Sequence, residues 1–160
     1  MRAALPVTLE KESRCSVPYV QLLEKLSSTA PKFINIARFS PEKGHDRLVE
    51  AFDKIHQKRP DALLFIMGGN SYGDLYERLY EKLQTMKLTE SVILLLNIAN
   101  PYAILNACDF FVLSSFYEGF GLVLAEADIL GKPVVSTDIA GPRGFMLQHG
   151  GTLIENSEQG

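Results

Sequence analysis

The fold class of this chain is decided by the segment ALLFIMGG, residues Ala62–Gly69. Its first six residues, Ala62–Met67, are all apolar, and two glycines close the run. A strand that is apolar along its whole length, rather than at alternate positions, suits a sheet that is covered on both faces. The segment therefore predicts a buried strand of a parallel sheet.

Similar segments recur along the chain and alternate with helical patterns. Further short strands are predicted at Phe33–Ala37, Val92–Leu96, Asp109–Leu113, Pro133–Thr137 and, as a sixth strand, Thr152–Ile154. Helices are predicted at His45–Arg59, Leu75–Met86, Pro101–Ala107 and Leu122–Leu130. Strands and helices that alternate in this way imply right-handed crossovers. The sequence therefore predicts an α/β fold with a doubly wound, Rossmann-like parallel sheet.

The composition narrows the classes of function. The chain has 160 residues, of which 46% are hydrophobic. Its 22% of charged residues, with nine phenylalanines and six tyrosines, exclude a disordered chain. Its net charge of −3 argues against a general nucleic-acid binder. No apolar run approaches the ~20 residues that cross a bilayer. The two cysteines, Cys15 and Cys108, are far apart in the sequence. We therefore expect no disulfide and a reducing, cytoplasmic compartment.

The first thirty residues differ from the rest of the chain. Residues 1–30 mix charged residues, serine and proline, and contain one short helical stretch, Val20–Leu26. We expect them to be an interdomain linker or an expression remnant. Residues 31–160 are expected to form the Rossmann-like domain, truncated at its C-terminus because the sequence stops where further strand–helix units would follow.

In a doubly wound sheet, ligands bind beyond the carboxyl ends of the strands. The loops expected at that edge are rich in glycine, serine, asparagine or charge, and comprise Arg38–Gly44, Gly68–Gly73, Asn97–Asn100, Ser114–Gly121 and Asp138–Gly144. The last of them is expected to be a flexible, partly basic loop that either tunes ligand contacts or is a plain surface turn.

The loop Arg38–Gly44 carries two cations and a glycine. A guanidinium binds phosphate in a bidentate manner and an ammonium adds a point charge, so Arg38 and Lys43 suit a diphosphate. The alternative is a solvated turn in which Lys43 pairs with Glu42 or Asp46. No G-x-G-x-x-G segment follows this strand and no phosphate-loop G-K-S/T occurs, which disfavours ordinary NAD and ATP sites.

The loop Ser114–Gly121 leads directly into the apolar helix Leu122–Leu130. Seven of these nine helical residues are apolar, so we expect the helix to be buried nearly all round. Gly119 and Gly121 leave backbone N–H groups free to face a ligand at the helix N-terminus, where the helix dipole favours an anion.

Two carboxylates, Glu118 and Glu126, flank these glycines. Carboxylates accept strong hydrogen bonds from the hydroxyls of sugars and ribose. Glu126 alternatively serves only as an anion near the positive end of the helix. A phosphate near the glycines, with hydroxyls near both glutamates, describes a nucleotide sugar.

Two motifs carry a family resemblance. The segment NIARFSPEKG, residues 35–44, resembles the "GR-hydrophobic-S-x-EKG" segment of retaining GT-B glycosyltransferases of family 4, the glycosyl transferases group 1. The segment EGFGLVLAE, residues 118–126, is similar to the Glu-x7-Glu motif of that family, and GKPVV, residues 131–135, to its continuation. The likeness runs from Pro31 to Glu155. Ala37, Ser114 and Asn97 depart from the usual residues, which leaves the base preference open.

The resemblance implies the donor-binding, C-terminal half of a two-domain enzyme that transfers sugar with retention of configuration. Arg38 and Lys43 are then expected to neutralise the diphosphate, and Glu118 to contact the donor sugar as an orienting group or as a nucleophile. The other implied contacts are sugar and phosphate at the backbone of Gly119, Phe120, Gly121 and Leu122, ribose at Glu126, and the base beside Asn97 and Ile98.

No cofactor and no metal are expected. No Asp-x-Asp segment occurs, the three histidines lack ligand spacing, and the family is usually metal-independent. His45 either touches phosphate or is a solvent-exposed helix residue.

The expected partners are a nucleotide sugar and an acceptor held by a missing N-terminal domain, such as a cell-envelope polysaccharide or teichoic-type polymer. The full-length enzyme is expected in the cytoplasm, peripheral to the inner face of the membrane, and the isolated piece is expected to transfer sugar poorly or not at all. The alternatives are a non-catalytic nucleotide-binding module and a GT-B sugar-nucleotide epimerase. The non-catalytic module has little support, because all four expected donor-binding side chains are present, namely Arg38, Lys43, Glu118 and Glu126. The Glu-x7-Glu spacing speaks against the epimerase.

Overall fold

The computed structural model describes residues 7–157, which fold around one seven-stranded sheet. Within these residues the strands are β1 (Arg14–Cys15), β2 (Lys32–Ile36), β3 (Leu63–Gly68), β4 (Val92–Leu96), β5 (Phe110–Leu113), β6 (Val134–Thr137) and β7 (Thr152–Ile154). The helices are α1 (Tyr19–Ser27), α2 (His45–Lys58), α3 (Leu75–Met86), α4 (Pro101–Ala107), α5 (Leu122–Ile129) and α6 (Ala140–His149), and a 3-10 turn spans Pro41–Lys43.

The strand order is β1-β4-β3-β2-β5-β6-β7, and every pair is parallel except the edge pair β1–β4. The chain winds from β2 through β3 to β4 in one direction, then crosses back to β5 and continues in the other. The predicted doubly wound, Rossmann-like fold is confirmed. Its topological switch point lies between β2 and β5, where ligands of such sheets bind.

The sheet is covered on both faces, as its apolar strands require. Phe65 of β3 and Ile93 of β4 face a core formed with α1, α4, α5 and α6. Leu64 and Leu94, the adjacent residues of these strands, face the other core, which α2 and α3 close. Because successive side chains of a strand point to opposite faces, a continuous apolar strand fills both layers.

Residues 7–30 have a different role from the one expected. β1 pairs with the edge of the sheet at β4, and α1 buries Leu22 and Leu26 in the same core as the central strands. The prediction of a linker is therefore wrong for these residues, because the apolar side chains of α1 are spaced to pack on the sheet. Residues 1–6 of that predicted linker and residues 158–160 of the predicted domain lie outside the described part.

The segment predicted as a flexible loop, Asp138–Gly144, is mostly helix α6. Gly141, Pro142 and Gly144 all argue against a helix by propensity. Proline is nevertheless accepted in a first helical turn, and Pro142 and Met146 are buried by this helix. Tertiary packing thus overrides local preference here.

Helix α5 is not buried all round, contrary to the prediction. Leu124 and Ala127 are buried against the sheet, but Leu122 is 70% exposed and Ile129 is 82% exposed. An outer-layer helix buries only the face that meets the sheet, so apolar residues on its other face stay accessible. No helix within residues 7–157 has both the length and the apolar character needed to cross a membrane.

Candidate functional site

The candidate site is formed by two loops at the switch point of the sheet. The loop after β2 contains the 3-10 turn, and the loop after β5 leads into α5. Their backbones are joined directly, since the Phe116 N–H donates to the carbonyl oxygen of Glu42 at 2.8 Å. The Ser114 hydroxyl donates to the carbonyl oxygen of Lys43 at 2.9 Å. The sequence motifs at 35–44 and 118–126 therefore meet in space, as expected for two adjacent parallel strands.

Lys43 and Glu118 form the charged centre of the site. The Lys43 ammonium donates to Glu118 Oε2 at 2.6 Å, and the two side chains are only 11% and 20% exposed. The Ser115 hydroxyl donates to the same carboxylate oxygen at 3.3 Å. The alternative of a solvated turn, with Lys43 paired to Glu42 or Asp46, is wrong, because Lys43 points inward to a residue 75 positions away.

Arg38 lies at the exposed rim of the same loop. Its guanidinium is 3.5 Å from Glu42 Oε1, and its side chain is 65% exposed. The Ser40 hydroxyl donates to the same Glu42 oxygen at 2.6 Å. This hydrogen bond, with smaller contributions from the Glu42 N–H, Lys43 and Arg38, lowers the pKa of Glu42. One long contact is all that holds this exposed guanidinium among residues 7–157, so it is available to an anion.

The N-terminus of α5 opens beside Glu118. Gly121 caps this helix with φ +70°, a left-handed conformation that favours glycine. No side chain in the described part of the chain caps the helix. Gly119, Phe120 and Leu122 are exposed around it. Uncapped N–H groups at a helix N-terminus, next to the positive end of its dipole, make this point suitable for an anion.

Glu126 lies one turn into α5 and contacts Tyr102 of α4. The Tyr102 hydroxyl donates to Glu126 Oε1 at 3.2 Å. The charge of Glu126, together with this hydrogen bond, raises the pKa of Tyr102. Tyr102 was not singled out from the sequence, because nothing in the sequence links an exposed tyrosine on α4 to a carboxylate on α5.

Asn97 and Ile98 follow β4, two strands away from β2 at the same edge of the sheet. Asn97 is exposed in a left-handed conformation, φ +56°, and its carbonyl oxygen accepts a hydrogen bond from the Ser13 hydroxyl at 2.7 Å. Ile98 is half-buried against the core. These two residues thus lie on the correct edge but outside the group that surrounds Lys43.

His45 is buried, so the expectation of a solvent-exposed helix histidine is wrong. Its side chain packs against the Phe39 ring, and its Nε2 lies 3.2 Å from Asn35 Oδ1. Burial lowers the pKa of His45 to about 4, since a charged imidazolium would lose its hydration. The neutral ring supports the start of α2 beneath the loop and adds no charge.

Two further residues shape the site and were missed by sequence reasoning. Arg47 of α2 donates to the carbonyl oxygens of Ser114 and Ser115. Gly141 at the start of α6 lies so close to the backbone that a Cβ there would overlap the carbonyl oxygen of Gly119. The absence of a side chain at Gly141 thus permits a close approach to the loop that carries Glu118.

A separate cavity of about 230 Å³ lies between α2 and α3. Two cations line it, Arg78 and Lys82, and Lys82 is paired with Asp46 at 3.0 Å and with Glu50 at 2.6 Å. The strand-end loops stay the candidate site because they lie at the switch point, where ligands of such sheets bind. Within residues 7–157 no three histidine, cysteine or carboxylate side chains converge in a way that would hold a metal ion.

A family model and a sequence relative both match this chain to glycosyltransferases. The family model described as glycosyl transferases group 1 matches residues 24–159. An uncharacterized glycosyltransferase of Methanocaldococcus jannaschii is 38% identical over 112 residues, which is 69% of this chain and 27% of that relative. This chain thus spans about a quarter of the length of that relative.

Two solved structures share the fold. The C-terminal domain of the glycosyl transferase group 1 family protein LpcC from Francisella tularensis has a TM-score of 0.69 and 28% identity, over 88% of this chain and 75% of that one. Anabaena HepE, in a complex with UDP and glucose, has a TM-score of 0.74 and 26% identity, over 88% of this chain and 39% of that one. The match with the family model covers both strand-end motifs and the whole switch point. The chain therefore belongs to the family of glycosyl transferases group 1.

Proposed function

We propose that this chain is the donor-binding domain of a retaining glycosyltransferase of family 4, which transfers a sugar from a nucleoside-diphosphate sugar to an acceptor. The observation that carries the proposal is the Lys43–Glu118 pair, at 2.6 Å, beside the uncapped N-terminus of α5 and at the switch point of the sheet. This arrangement offers a cation, free N–H groups and a carboxylate within one small region, and a diphosphate joined to a sugar needs all three.

Each side chain has a role in this proposal. Arg38 and Lys43 bind the diphosphate, together with the backbone N–H groups of the Gly119–Leu122 segment. Glu118 binds hydroxyls of the sugar, and Glu126, held by Tyr102, binds those of the ribose. The base lies towards Asn97 and Ile98. HepE, whose fold this chain shares, was solved with UDP and glucose, which makes UDP the first nucleotide to test.

The chemistry follows from the departure of the diphosphate. Charge grows on the leaving phosphate while the sugar carbon becomes oxocarbenium-like. Preorganised donors aimed at such developing charge contribute a few kcal/mol each, roughly, to lowering the barrier. Lys43, Arg38 and the α5 terminus are the donors available here.

Glu118 acts as an orienting group in this account. Its Oε2 already accepts hydrogen bonds from Lys43 and Ser115. An oxygen that shares its lone pairs with two donors is a weaker nucleophile and a better fixed acceptor for a sugar hydroxyl. Retention of configuration is tested on the full-length enzyme by NMR of the product anomer, and an inverted product would contradict it.

The reaction is proposed to need no metal, with Lys43 and Arg38 supplying the positive charge. Donor binding by the chain, and turnover by the full-length enzyme, should then be unchanged by EDTA. A loss of either that added Mg²⁺ or Mn²⁺ restores would contradict metal independence.

The acceptor is proposed to bind to a second domain outside these residues, since this chain spans 27% of the M. jannaschii relative. The isolated chain should accordingly bind donor but transfer sugar poorly or not at all. We propose a hexose as the transferred sugar and a cell-envelope polysaccharide or teichoic-type polymer as the acceptor. A full-length enzyme that builds such polymers would work in the cytoplasm, at the inner face of the membrane. Fractionation of cells tests that placement.

The test of donor binding is a thermal melt of the chain with UDP, GDP, CDP and ADP. A ligand at 100 times its Kd stabilises by about 2.7 kcal/mol, which is roughly 5–10 °C for a domain of this size. One nucleotide should give this shift, and Arg38→Ala and Glu126→Ala should reduce it. Arg59→Ala and Glu77→Ala remove the same charges from exposed pairs, Arg59 with Asp61 and Glu77 with Arg14, and should leave the shift unchanged. The absence of a shift with every nucleotide would contradict the proposal.

A further inference from the structure

Arg47 lies outside the proposed ligand contacts, but its guanidinium donates several hydrogen bonds at the switch point. Its Nε and Nη2 donate to the Ser114 carbonyl oxygen at 2.8 and 2.6 Å, and Nη2 donates to the Ser115 carbonyl oxygen at 2.7 Å. The guanidinium carbon lies 3.9 Å from the centre of the Phe116 ring. One side chain of α2 thus holds three successive residues of the loop after β5.

Asn156, which follows β7, completes this arrangement. Its Oδ1 accepts from Arg47 Nη1 at 2.9 Å, and its Nδ2 donates to the Phe116 carbonyl oxygen at 2.9 Å. Three separate parts of the chain, namely α2, the loop after β5 and the end of β7, are therefore tied at one point. Hydrogen bonds shared among three segments in this way hold the loop after β5 in one position.

The position of this junction matters for the charged pair of the site. Arg47 lies four residues after Lys43, on the helix that follows the Lys43 turn. It donates to the Ser115 carbonyl oxygen, three residues before Glu118. Gly44 allows the close approach, because a Cβ there would collide with the carbonyl oxygen of Ser114 and with Arg47 Nε. The guanidinium fork suits this task, since a single lysine ammonium cannot bond two carbonyls, bond an amide and stack on a ring at once.

We propose that Arg47 is a positioning residue, which fixes the loop that carries Glu118 against the turn that carries Lys43 and so keeps the donor pocket formed before ligand binds. The inference rests on the proposed function, because the expected consequence of a preformed pocket is tight nucleotide binding. It goes beyond that function by placing the control of pocket geometry in a residue that touches no ligand.

The test compares Arg47→Met, which keeps the length of the side chain, with Arg47→Lys, which keeps the charge. The first measurement is amide hydrogen exchange of Phe116, whose N–H bonds to the Glu42 carbonyl across the two loops. In Arg47→Met this amide should exchange about tenfold faster or more, as expected when charge-assisted bonds that hold a segment are lost, while amides of β3 follow global stability only. Arg47→Lys should lie between Arg47→Met and the wild type.

The second measurement is the Kd of the nucleoside diphosphate that shifts the wild type in the melt, taken well below the unfolding temperature. Arg47→Met should weaken binding by about tenfold, because the pocket must then be ordered by the ligand. Ile93→Val, in fully buried β4, serves as the control for stability alone: it should lower the melting temperature and leave the Kd unchanged.

The outcomes are distinct. A wild-type Kd in Arg47→Met, or equal weakening by Ile93→Val, would overturn the positioning role while leaving the proposed function intact. Unchanged exchange at Phe116 would overturn it as well. If the wild type bound none of UDP, GDP, CDP and ADP, the proposed function would be contradicted and this inference would fall with it. If Arg47→Met did not fold, the same comparisons would be made with Arg47→Lys.

Discussion

Replacing Glu118 by glutamine should tighten the binding of a nucleoside diphosphate, although Glu118 is proposed to contact the donor. In the free protein the Lys43 ammonium is committed to Glu118 Oε2 at 2.6 Å. A diphosphate must share this ammonium with a carboxylate and approach a negative charge. In Glu118→Gln the side chain keeps its shape, Lys43 is released and the repulsion is gone.

The magnitude follows from the burial of the pair. The two side chains are 11% and 20% exposed, so solvent screens them little. A hydrogen bond to a charged group is worth about 1.5–3 kcal/mol net, and the lower end of that range corresponds to roughly tenfold in Kd. We therefore expect UDP, or the diphosphate that the melt selects, to bind about tenfold more tightly.

The same substitution should destabilise the free fold. Lys43 loses its countercharge in a mostly buried position, which costs about 1–3 kcal/mol. The melting temperature should fall by roughly 2–4 °C per kcal/mol. Ligand should then raise the melting temperature of Glu118→Gln more than that of the wild type. A nucleotide sugar should lose the extra affinity that its sugar provides.

The assay is calorimetric titration of wild type and Glu118→Gln with the diphosphate and with its sugar derivative. Glu77→Gln is the matched control, because it removes the carboxylate of an α3 residue from an exposed pair with Arg14 of β1 and should leave both affinities unchanged. Weaker or unchanged diphosphate binding by Glu118→Gln would refute the reasoning that the free pair competes with phosphate.

Three further predictions concern residues around this pair. Gly141→Ala should lower the stability of the fold by about 1–3 kcal/mol and weaken nucleotide binding, because the new Cβ would meet the Gly119 carbonyl oxygen. Gly144→Ala, in the same helix, places its Cβ in open space and should be neutral or slightly stabilising. Thermal melts of both variants check this. His45 has a pKa lowered to about 4, so the unfolded chain binds its proton first, and stability should be full above pH 6.5 and fall as the pH drops towards 4. In urea titrations His45→Gln should flatten that fall, and an unchanged slope would contradict it. Tyr102→Phe should weaken nucleotide binding by about threefold through the loss of one bond to Glu126, with an unchanged melting temperature; calorimetry that shows no change would contradict a role for this hydroxyl.

Much of the fold could be predicted because its signals are local. β4, β7, α3 and α4 match the predicted residues, and the other predicted strands and helices differ by one residue at one or both ends. α6 escaped prediction because Gly141, Pro142 and Gly144 break a helix by propensity and only packing reverses that. The exposure of α5 also depends on packing, since a sequence of apolar residues does not say which face meets the sheet.

The position of the candidate site could be predicted from the sequence, but the hydrogen-bond partners of its side chains could not. Strand ends and glycines located the two loops, since parallel strands bring their carboxyl ends to one edge. The partner of Lys43 lies 75 residues away, and no local pattern distinguishes Glu118 from the nearer Glu42. The sequence also gave no sign of the role of Arg47, because an arginine on a helix usually faces solvent.

The central claim is that a nucleoside diphosphate binds between the two loops at the switch point. Amide NMR of the chain during titration with UDP, GDP, CDP and ADP tests it most directly. The account predicts that one nucleotide shifts the amides of Lys43, Gly119, Gly121 and Glu126 most strongly. It would be contradicted if no nucleotide shifted them, or if the shifts gathered instead around Lys82, in the cavity between α2 and α3.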